Sequence, residues 1–173
     1  MKITSPFLLA ASLLLMAACT SQPVKPMTNN SAISKKAHEL FSANKFDEVL
    51  NLAADNIQVV NNAAGQVFNG KAEFRAFMAG FKTAFPDLVI SQKNVFESGD
   101  QVCLEFEATG THTGPLAGPG GVIPPTGKTV KLTVCETHRI ENGKIASIHN
   151  YQDSGSLMAQ LGLMPPPPAP AQK

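Results

Sequence analysis

The sequence predicts an α+β domain in which helices cover one face of an antiparallel sheet. The N-terminal half carries apolar residues at helical spacing, whereas the C-terminal half contains longer stretches in which apolar and polar residues alternate. The dipeptide Asn142-Gly143 separates two of these stretches and is typical of a β-hairpin turn. Helices followed by antiparallel strands bury their apolar faces against each other, which gives two packed layers.

Apolar spacing predicts helices before the long strands. Ser34 can cap a first helix, and a second helical segment follows from Phe46. The clearest pattern begins near Lys71 and ends at Pro86, with apolar residues at intervals of i, i+3, i+4, i+7 and i+11. These residues are Phe74, Phe77, Met78, Phe81 and Phe85. We expect this stripe in the core, and Phe77 and Phe81 are also candidates for the lining of a ligand cavity.

Alternating patterns predict the strands, and a long loop interrupts them. The predicted strands are 57–60, 89–96, 102–109, 130–139 and 144–151. Residues 113–127 are rich in glycine and proline, and a loop of that length inside a compact domain is usually functional or mobile.

The first 18 residues have the pattern of a bacterial lipoprotein signal peptide. Lys2 precedes an apolar run of about a dozen residues, which is too short to cross a bilayer comfortably. The segment from Leu15 to Cys19 resembles a lipobox, so Cys19 is expected to be the lipidated first residue of the mature chain. The alternative is an ordinary cleaved signal peptide followed by an incidental cysteine. The lipoprotein interpretation places the protein in the cell envelope, lipid-anchored and facing the periplasm.

Domain limits follow from composition. Residues 19–31 are polar and contain proline, as in a flexible tether, and residues 164–173 form a proline-rich tail. The folded domain is therefore expected over residues 32–163.

Composition and spacing also disfavour several function classes. The formal net charge is +1 and no basic run is interleaved with aromatic residues, so we expect no nucleic-acid partner. Histidines never recur at i, i+4 in a helical segment and no Cys-x-x-Cys pair occurs, so we expect no metal ion. Neither a phosphate-binding glycine loop nor a nucleophile elbow is present.

A series of short motifs resembles the SnoaL-like polyketide cyclase family over roughly residues 34 to 162. The motifs are Gly70-Lys71 and residues 74–81, 84–88, 110–114, 124–128, 138–145 and 157–162. The resemblance implies a cone-shaped barrel, in which a curved and mostly antiparallel mixed sheet wraps around N-terminal helices, as in nuclear transport factor 2 and scytalone dehydratase. It also implies a homodimer formed through the outer face of the sheet.

Strand alternation places a candidate site on the inner face of the sheet. Phe106 and its apolar neighbours share this face with Glu136 and His138, and the 142–143 hairpin brings Asn150 beside them. A carboxylate, an imidazole and an amide in an apolar concavity are typical of a small-molecule site. The alternative is that Glu136 and His138 only pair with each other at the sheet edge.

The family resemblance supplies a mechanism and raises a difficulty. Polyketide cyclases of this family use an acid/base carboxylate on the late strands to close a ring without a cofactor. Asn150 stands where an acid is expected, and an amide cannot exchange a proton. Glu136, His138 or Asp153 would have to replace it, although Asp153 could instead cap the following helix.

The other histidines and the last two cysteines have less defined expectations. His112 either binds ligand at the cavity mouth or orients the loop that follows it, and His38 on the first helix indicates no function. If Thr109 faces Thr129, Cys103 faces Cys135, which predicts a disulfide in an exported protein. Two separate buried thiols are the alternative.

Two functions remain open at this point. One is a cofactor-independent enzyme that acts on a hydrophobic carbonyl compound. It would be related to the cyclases or ester cyclases and would catalyse a cyclase, isomerase or lyase reaction. The other is a lipid-anchored domain that binds a small apolar ligand or forms a dimeric scaffold without catalysis. A proton-exchanging group inside the cavity distinguishes the two.

Overall fold

The computed structural model describes residues 29–118 and 120–164, in which four helices and eight strands occur. They are, in chain order, α1 (Asn30–Ser42), α2 (Phe46–Leu52), β1 (Ala53–Asn61), β2 (Gln66–Asn69), α3 (Gly70–Ala84), β3 (Val89–Ser98), β4 (Gln101–Thr111), β5 (Leu116–Gly118), β6 (Gly121–Ile123), β7 (Thr129–Glu141), β8 (Lys144–Gln152) and α4 (Ser154–Leu161). Within these ranges, no helix has both the length and the hydropathy needed to cross a membrane. Cys19, the signal peptide and residues 165–173 lie outside the described residues.

Six of the strands form one mixed sheet in the order β2-β1-β8-β7-β4-β3. Neighbouring strands are antiparallel except β1 and β8, which run parallel. Helices α1 and α3 pack on the inner face, and their apolar residues form the core together with those of β4 and β7. The predicted α+β architecture is confirmed. The sheet stays open, with β2 and β3 as its edges among the described strands, rather than closing into a complete barrel.

Some element boundaries differ from the prediction. Helix α1 begins at Asn30 because the side chain of Asn29 accepts a hydrogen bond from the backbone N–H of Ala32 at 3.1 Å, so Asn29 is the cap. Ser34, the predicted cap, is instead buried inside the helix. Strand β2 and the small β5–β6 hairpin were not predicted, because strands of three or four residues carry too little alternation to be recognised.

The predicted register between β4 and β7 was wrong by two residues. Thr111, rather than Thr109, faces Thr129, so Cys103 faces Thr137 and Cys135 faces Glu105. A shift of two residues leaves every side chain on its expected face, because side chains alternate with a period of two. Cys103 and Cys135 are therefore diagonal neighbours on the outer face, and the structure holds them as free thiols with 3.6 Å between their Sγ atoms.

The end of α3 is fastened to the end of β4. The backbone N–H groups of Thr113 and Gly114 donate to the carbonyl of Ala84 at 3.0 and 3.1 Å. Asp87 accepts a backbone hydrogen bond at 2.7 Å and a hydroxyl hydrogen bond at 2.8 Å from Thr111. These contacts hold the C-terminal end of α3 against the end of β4.

Candidate functional site

An apolar cavity of about 100 Å³ lies between α1, α3 and the inner face of the sheet. Aromatic rings form much of its wall: Phe41, Phe74, Phe77, Phe81, Phe85 and Phe106. Phe77 and Phe81 come from the predicted stripe on α3, and their rings meet edge to face at 5.1 Å. The expectation that Phe77, Phe81 and Phe106 reach one cavity agrees with their placement.

Glu136 is the centre of a polar cluster in the cavity wall. Glu136 and His138 are alternate residues of β7 and both point inward. Asn150 on the neighbouring strand β8 is paired with Glu136. Oε2 of Glu136 accepts from Nε2 of His138 at 3.1 Å, and Oε1 accepts from Nδ2 of Asn150 at 2.7 Å. Because β7 is an interior strand, the pairing of Glu136 with His138 takes place beside the cavity and not at the sheet edge.

His38 is the member of the cluster that sequence reasoning missed. It lies on the buried face of α1, and its Nε2 is 3.0 Å from Oε2 of Glu136. Its ring packs edge-on against Phe106, with 4.6 Å between centroids. A polar residue on the apolar face of a helix, next to Ala37 and close to Leu40, was the available signal. It could not say which partner the imidazole would meet.

Gln92 determines that Nδ1 is a nitrogen of the His38 ring that carries a hydrogen. Nε2 of Gln92 donates to the carbonyls of Asn94 and Glu105, both at 3.0 Å, so the amide oxygen must face His38. That oxygen lies 3.2 Å from Nδ1 of His38, which therefore carries a hydrogen and donates it. Gln92 faces inward because it alternates with Ile90 and pairs with Phe106, and a bulge follows it before the pair Asn94–Glu105.

The contact between His38 and Glu136 needs a positive centre between its two atoms. With a hydrogen on Nδ1, a bare Nε2 would present a lone pair to the carboxylate of Glu136 at 3.0 Å, which is repulsive. A proton shared by the two atoms is one such centre.

Burial and hydrogen bonding act in opposite directions on the two buried groups of β7. Burial by itself would raise the pKa of Glu136, but the hydrogen bonds from His138 and His38 outweigh it and hold the pKa well below its usual range. Burial lowers the pKa of His138, and the carboxylate of Glu136 offsets only part of that effect. Glu136 is therefore a carboxylate and His138 a neutral imidazole near neutral pH.

Two polar atoms of the cluster lack partners among the described residues. Nδ1 of His138 and Oδ1 of Asn150 are buried without a hydrogen-bond partner there. If Nε2 of His138 donates to Glu136, Nδ1 carries a free lone pair. A neutral imidazole that is oriented by a carboxylate and has one free nitrogen is a group able to accept a proton.

The remaining predicted site residues lie elsewhere. His112 is fully buried outside the cavity lining, and its Nδ1 is 3.1 Å from the hydroxyl of Thr126, so it orients the loop before β7. Asp153 is exposed and accepts the backbone N–H of Ser156 at 3.0 Å, which makes it the cap of α4. These positions agree with the structural alternatives, which are loop orientation for His112 and helix capping for Asp153, and neither residue lines the cavity.

His38, Glu136 and His138 also satisfy a geometric condition for metal binding. Two imidazole nitrogens and one carboxylate oxygen lie within 4.8 Å of one another, and all three residues are buried. The spacing rules used on the sequence could not detect this group, because one ligand comes from a helix and two come from a strand 98 and 100 residues later along the chain.

Solved structures share this fold at low sequence identity. A candidate SnoaL-like polyketide cyclase from Jannaschia sp. CCS1 has a TM-score of 0.72 and 20% identity, covering 84% of this chain and 100% of that chain. AclR, a candidate hydroxylase from Streptomyces galilaeus, has a TM-score of 0.67 and 23% identity, covering 79% of this chain and 97% of that chain. IdmH, a candidate polyketide cyclase from Streptomyces antibioticus, has a TM-score of 0.67 and 22% identity, covering 78% of this chain and 99% of that chain. No curated protein sequence matches the chain.

The family model provides the assignment that structural likeness at this identity cannot. The model of the SnoaL-like polyketide cyclases matches residues 32–161, which include every helix and strand described above except the first two residues of α1. The chain therefore belongs to the SnoaL-like polyketide cyclase family.

Proposed function

We propose that the protein binds a small apolar carbonyl compound in its cavity and moves a proton on that compound with Glu136 and His138. The observation that carries the proposal is the buried hydrogen bond between these two residues in the wall of an otherwise apolar cavity. A desolvated, pre-oriented acid/base pair stabilises charge that develops on a bound ligand better than water does.

The roles of the two residues follow from their contacts. The free Nδ1 of His138 accepts a proton from the carbon beside the ligand carbonyl, and the electron pair moves onto the carbonyl oxygen. Glu136 fixes the orientation of the ring, in which Nδ1 has no hydrogen-bond partner among the described residues, and stabilises the imidazolium that forms. Return of the proton to oxygen gives an enol and to another carbon gives an isomer. Attack of the enolate carbon on a second carbonyl of the same ligand closes a ring.

The proposed location and assembly rest on other observations. Lipidation of Cys19 would display the domain on the cell envelope, facing the periplasm, and the lipobox pattern supports this. A homodimer through the outer sheet face is supported by the exposure of Phe96 and Tyr151, which are 58% and 47% exposed. Both lie in register with outward-facing residues of the neighbouring strands, Cys103 and Cys135.

Non-catalytic ligand binding is the second candidate, and one observation favours it. Glu136 is fully hydrogen-bonded by His38, His138 and Asn150, and such a closed network can serve only to hold the cavity wall in place. In that case the protein would retain a ligand without changing it.

Deuterium exchange distinguishes the two candidates without knowledge of the natural substrate. The full chain is incubated in D₂O with a panel of hydrophobic ketones, and mass spectrometry measures deuterium at the carbon beside the carbonyl. The wild-type protein is expected to catalyse exchange, and Glu136→Gln is expected to lower it by about 10² to 10⁴-fold. His149→Ala, which removes a histidine from the outer side of β8, is the matched control.

The outcomes are separable. Native mass spectrometry of the same samples reports bound ligand, and circular dichroism reports folding. Bound ligand without exchange supports the binding protein, and exchange retained by a folded Glu136→Gln variant removes Glu136 from the mechanism.

A further inference from the structure

The geometry points to a binding site for a divalent first-row transition-metal ion at His38, Glu136 and His138. The ligand atoms are Nε2 of each histidine and Oε2 of the glutamate, all within 4.8 Å of one another. Each of the three residues is at least nine-tenths buried. Two imidazoles and one carboxylate are a donor set used by catalytic zinc and by non-haem iron.

The distances fit an ion that shares these ligands. Nε2 of His38 and Nε2 of His138 lie 3.0 and 3.1 Å from the same oxygen, Oε2 of Glu136. Ligands bound at about 2.0–2.1 Å to one tetrahedral metal ion are separated by roughly 3.3 Å. Small rotations of the three side chains would therefore place an ion at their centre.

The surrounding hydrogen bonds resemble those that support metal ligands. The Gln92 amide oxygen accepts from Nδ1 of His38, which leaves Nε2 as the nitrogen able to bind an ion. Asn150 donates to Oε1 of Glu136, which leaves Oε2 for the same purpose. Nδ1 of His138 has no partner among the described residues, so the hydrogen that Nε2 donates to Glu136 can move to Nδ1 when an ion binds Nε2.

The positive centre required between His38 and Glu136 gives the chemical reason. A divalent ion can take the place of the shared proton. The Nε2 hydrogen of His38 then leaves as one proton to solvent, and the hydrogen of His138 moves from Nε2 to Nδ1. Two neutral imidazoles and one carboxylate carry a charge of −1, so the occupied site carries +1.

The ion would also meet the cavity. His38, Glu136 and His138 all line it, so a remaining coordination position is open to water or to the carbonyl oxygen of a ligand. An ion in the site would polarise the carbonyl oxygen of a bound ligand. It would also bind lone pairs of His138 and Glu136, on which the proposed proton transfer depends. The inference does not rest on the proposed function, because ion binding is measurable without any organic ligand.

Calorimetric titration of the full, chelator-treated chain with Zn²⁺ tests the site. One equivalent is expected to bind to the wild-type protein, and Mg²⁺, which prefers oxygen ligands, is expected not to bind. His38→Ala and His138→Ala should each weaken Zn²⁺ binding by more than about 100-fold, and Gln92→Ala by about 10 to 100-fold. His149→Ala and Cys135→Ser are matched controls that should bind as the wild type does.

The visible spectrum of the Co²⁺-loaded wild-type chain gives a second readout that does not depend on any variant folding. Nitrogen and oxygen ligands are expected, without the thiolate-to-cobalt charge-transfer band. Equal affinity in folded His38→Ala and His138→Ala variants would overturn the inference. So would loss of binding in Cys135→Ser, a thiolate band, or the absence of binding to the wild-type chain.

Discussion

Nε2 of His38 lies 3.0 Å from Oε2 of Glu136, although the two residues are 98 positions apart in the chain. This contact joins the first helix to an interior strand of the sheet, and both residues line the cavity. Both residues are buried, so the contact has consequences for stability as well as for chemistry.

His38→Ala is predicted to destabilise the protein strongly. The substitution leaves the charge of Glu136 with one imidazole fewer and leaves the amide oxygen of Gln92 without its donor. Removing one member of a buried ion pair typically costs about 3–5 kcal/mol. Urea unfolding at neutral pH measures the loss, and His149→Ala should change the free energy of unfolding by less than about 1 kcal/mol. Equal losses in the two variants would show that the His38 contact has no special weight.

Oxidation of Cys103 and Cys135 to a disulfide is predicted for protein that is produced by export to an oxidising compartment. Their Sγ atoms are 3.6 Å apart, so a bond needs only a small movement of each side chain. Burial, together with the neighbouring Cys103 thiol, raises the pKa of Cys135 to about 11, so the reactive thiolate is scarce at neutral pH. With oxidised glutathione as the oxidant, which takes up the two electrons and leaves as reduced glutathione, the reduced protein should form the bond slowly at pH 7 and faster as the pH approaches 10.

The mass of the denatured protein after alkylation measures this reaction. Protein from an oxidising compartment is expected to lack two hydrogens and to resist alkylation at both positions until it is reduced. Full alkylation of the exported protein without reduction would contradict the prediction. Cys103→Ser supplies the control, since it cannot form the bond.

Asp87→Asn is predicted to lower stability at neutral pH and not at low pH. The backbone N–H and the hydroxyl of Thr111 hold the pKa of the Asp87 carboxyl below its ordinary value. A lowered folded-state pKa contributes stability above the unfolded-state pKa, which is about 3.9, and that contribution is lost as the pH falls through the folded-state pKa. Because the carboxylate is exposed, the expected loss is only about 1 kcal/mol.

Urea unfolding at pH 7 and at about pH 2 tests this prediction. The difference in unfolding free energy between wild type and Asp87→Asn should shrink as the pH falls, because protonation makes the Asp87 side chain neutral like that of asparagine. A difference that stays constant would mean that the carboxylate charge contributes nothing.

Two glycine-to-alanine substitutions are predicted to act in opposite directions. A Cβ atom at Gly114 would overlap the carbonyl oxygen of Thr83, so Gly114→Ala must push the loop away from the end of α3. The expected cost is about 1–3 kcal/mol. Gly80 lies inside α3 with open space around it, so Gly80→Ala should stabilise by about 0.5–1 kcal/mol. In thermal denaturation, the midpoint of Gly114→Ala should lie below the wild-type value and that of Gly80→Ala above it. Midpoints that shift in the same direction would contradict the assignment of α3 and its C-terminal contact.

Local patterns determined the elements that are long enough to repeat. The phenylalanine stripe of α3 repeats over three turns, and the strands β4 and β7 alternate over eleven and thirteen residues, so each pattern identifies the buried face. Strand β8 alternates from Ala146 to Tyr151. The series of family motifs then determined the architecture, because their order follows the order of these elements. Glu136, His138 and Asn150 were predicted to share one face for the same reason. The lipid anchor at Cys19 remains a prediction.

Only the tertiary structure decided which of these faces meet, and in what register. A shift of two residues leaves the alternation of β4 and β7 unchanged, so the sequence could not distinguish Thr137 from Cys135 as the partner of Cys103. The bulge after Gln92 moves the inward side of β3 from Ile90 and Gln92 to Val95, which breaks the pattern on which strand prediction depends. His38 joins Glu136 because helix α1 packs across the open sheet, and a contact between residues so distant in the chain leaves no periodic trace in either segment.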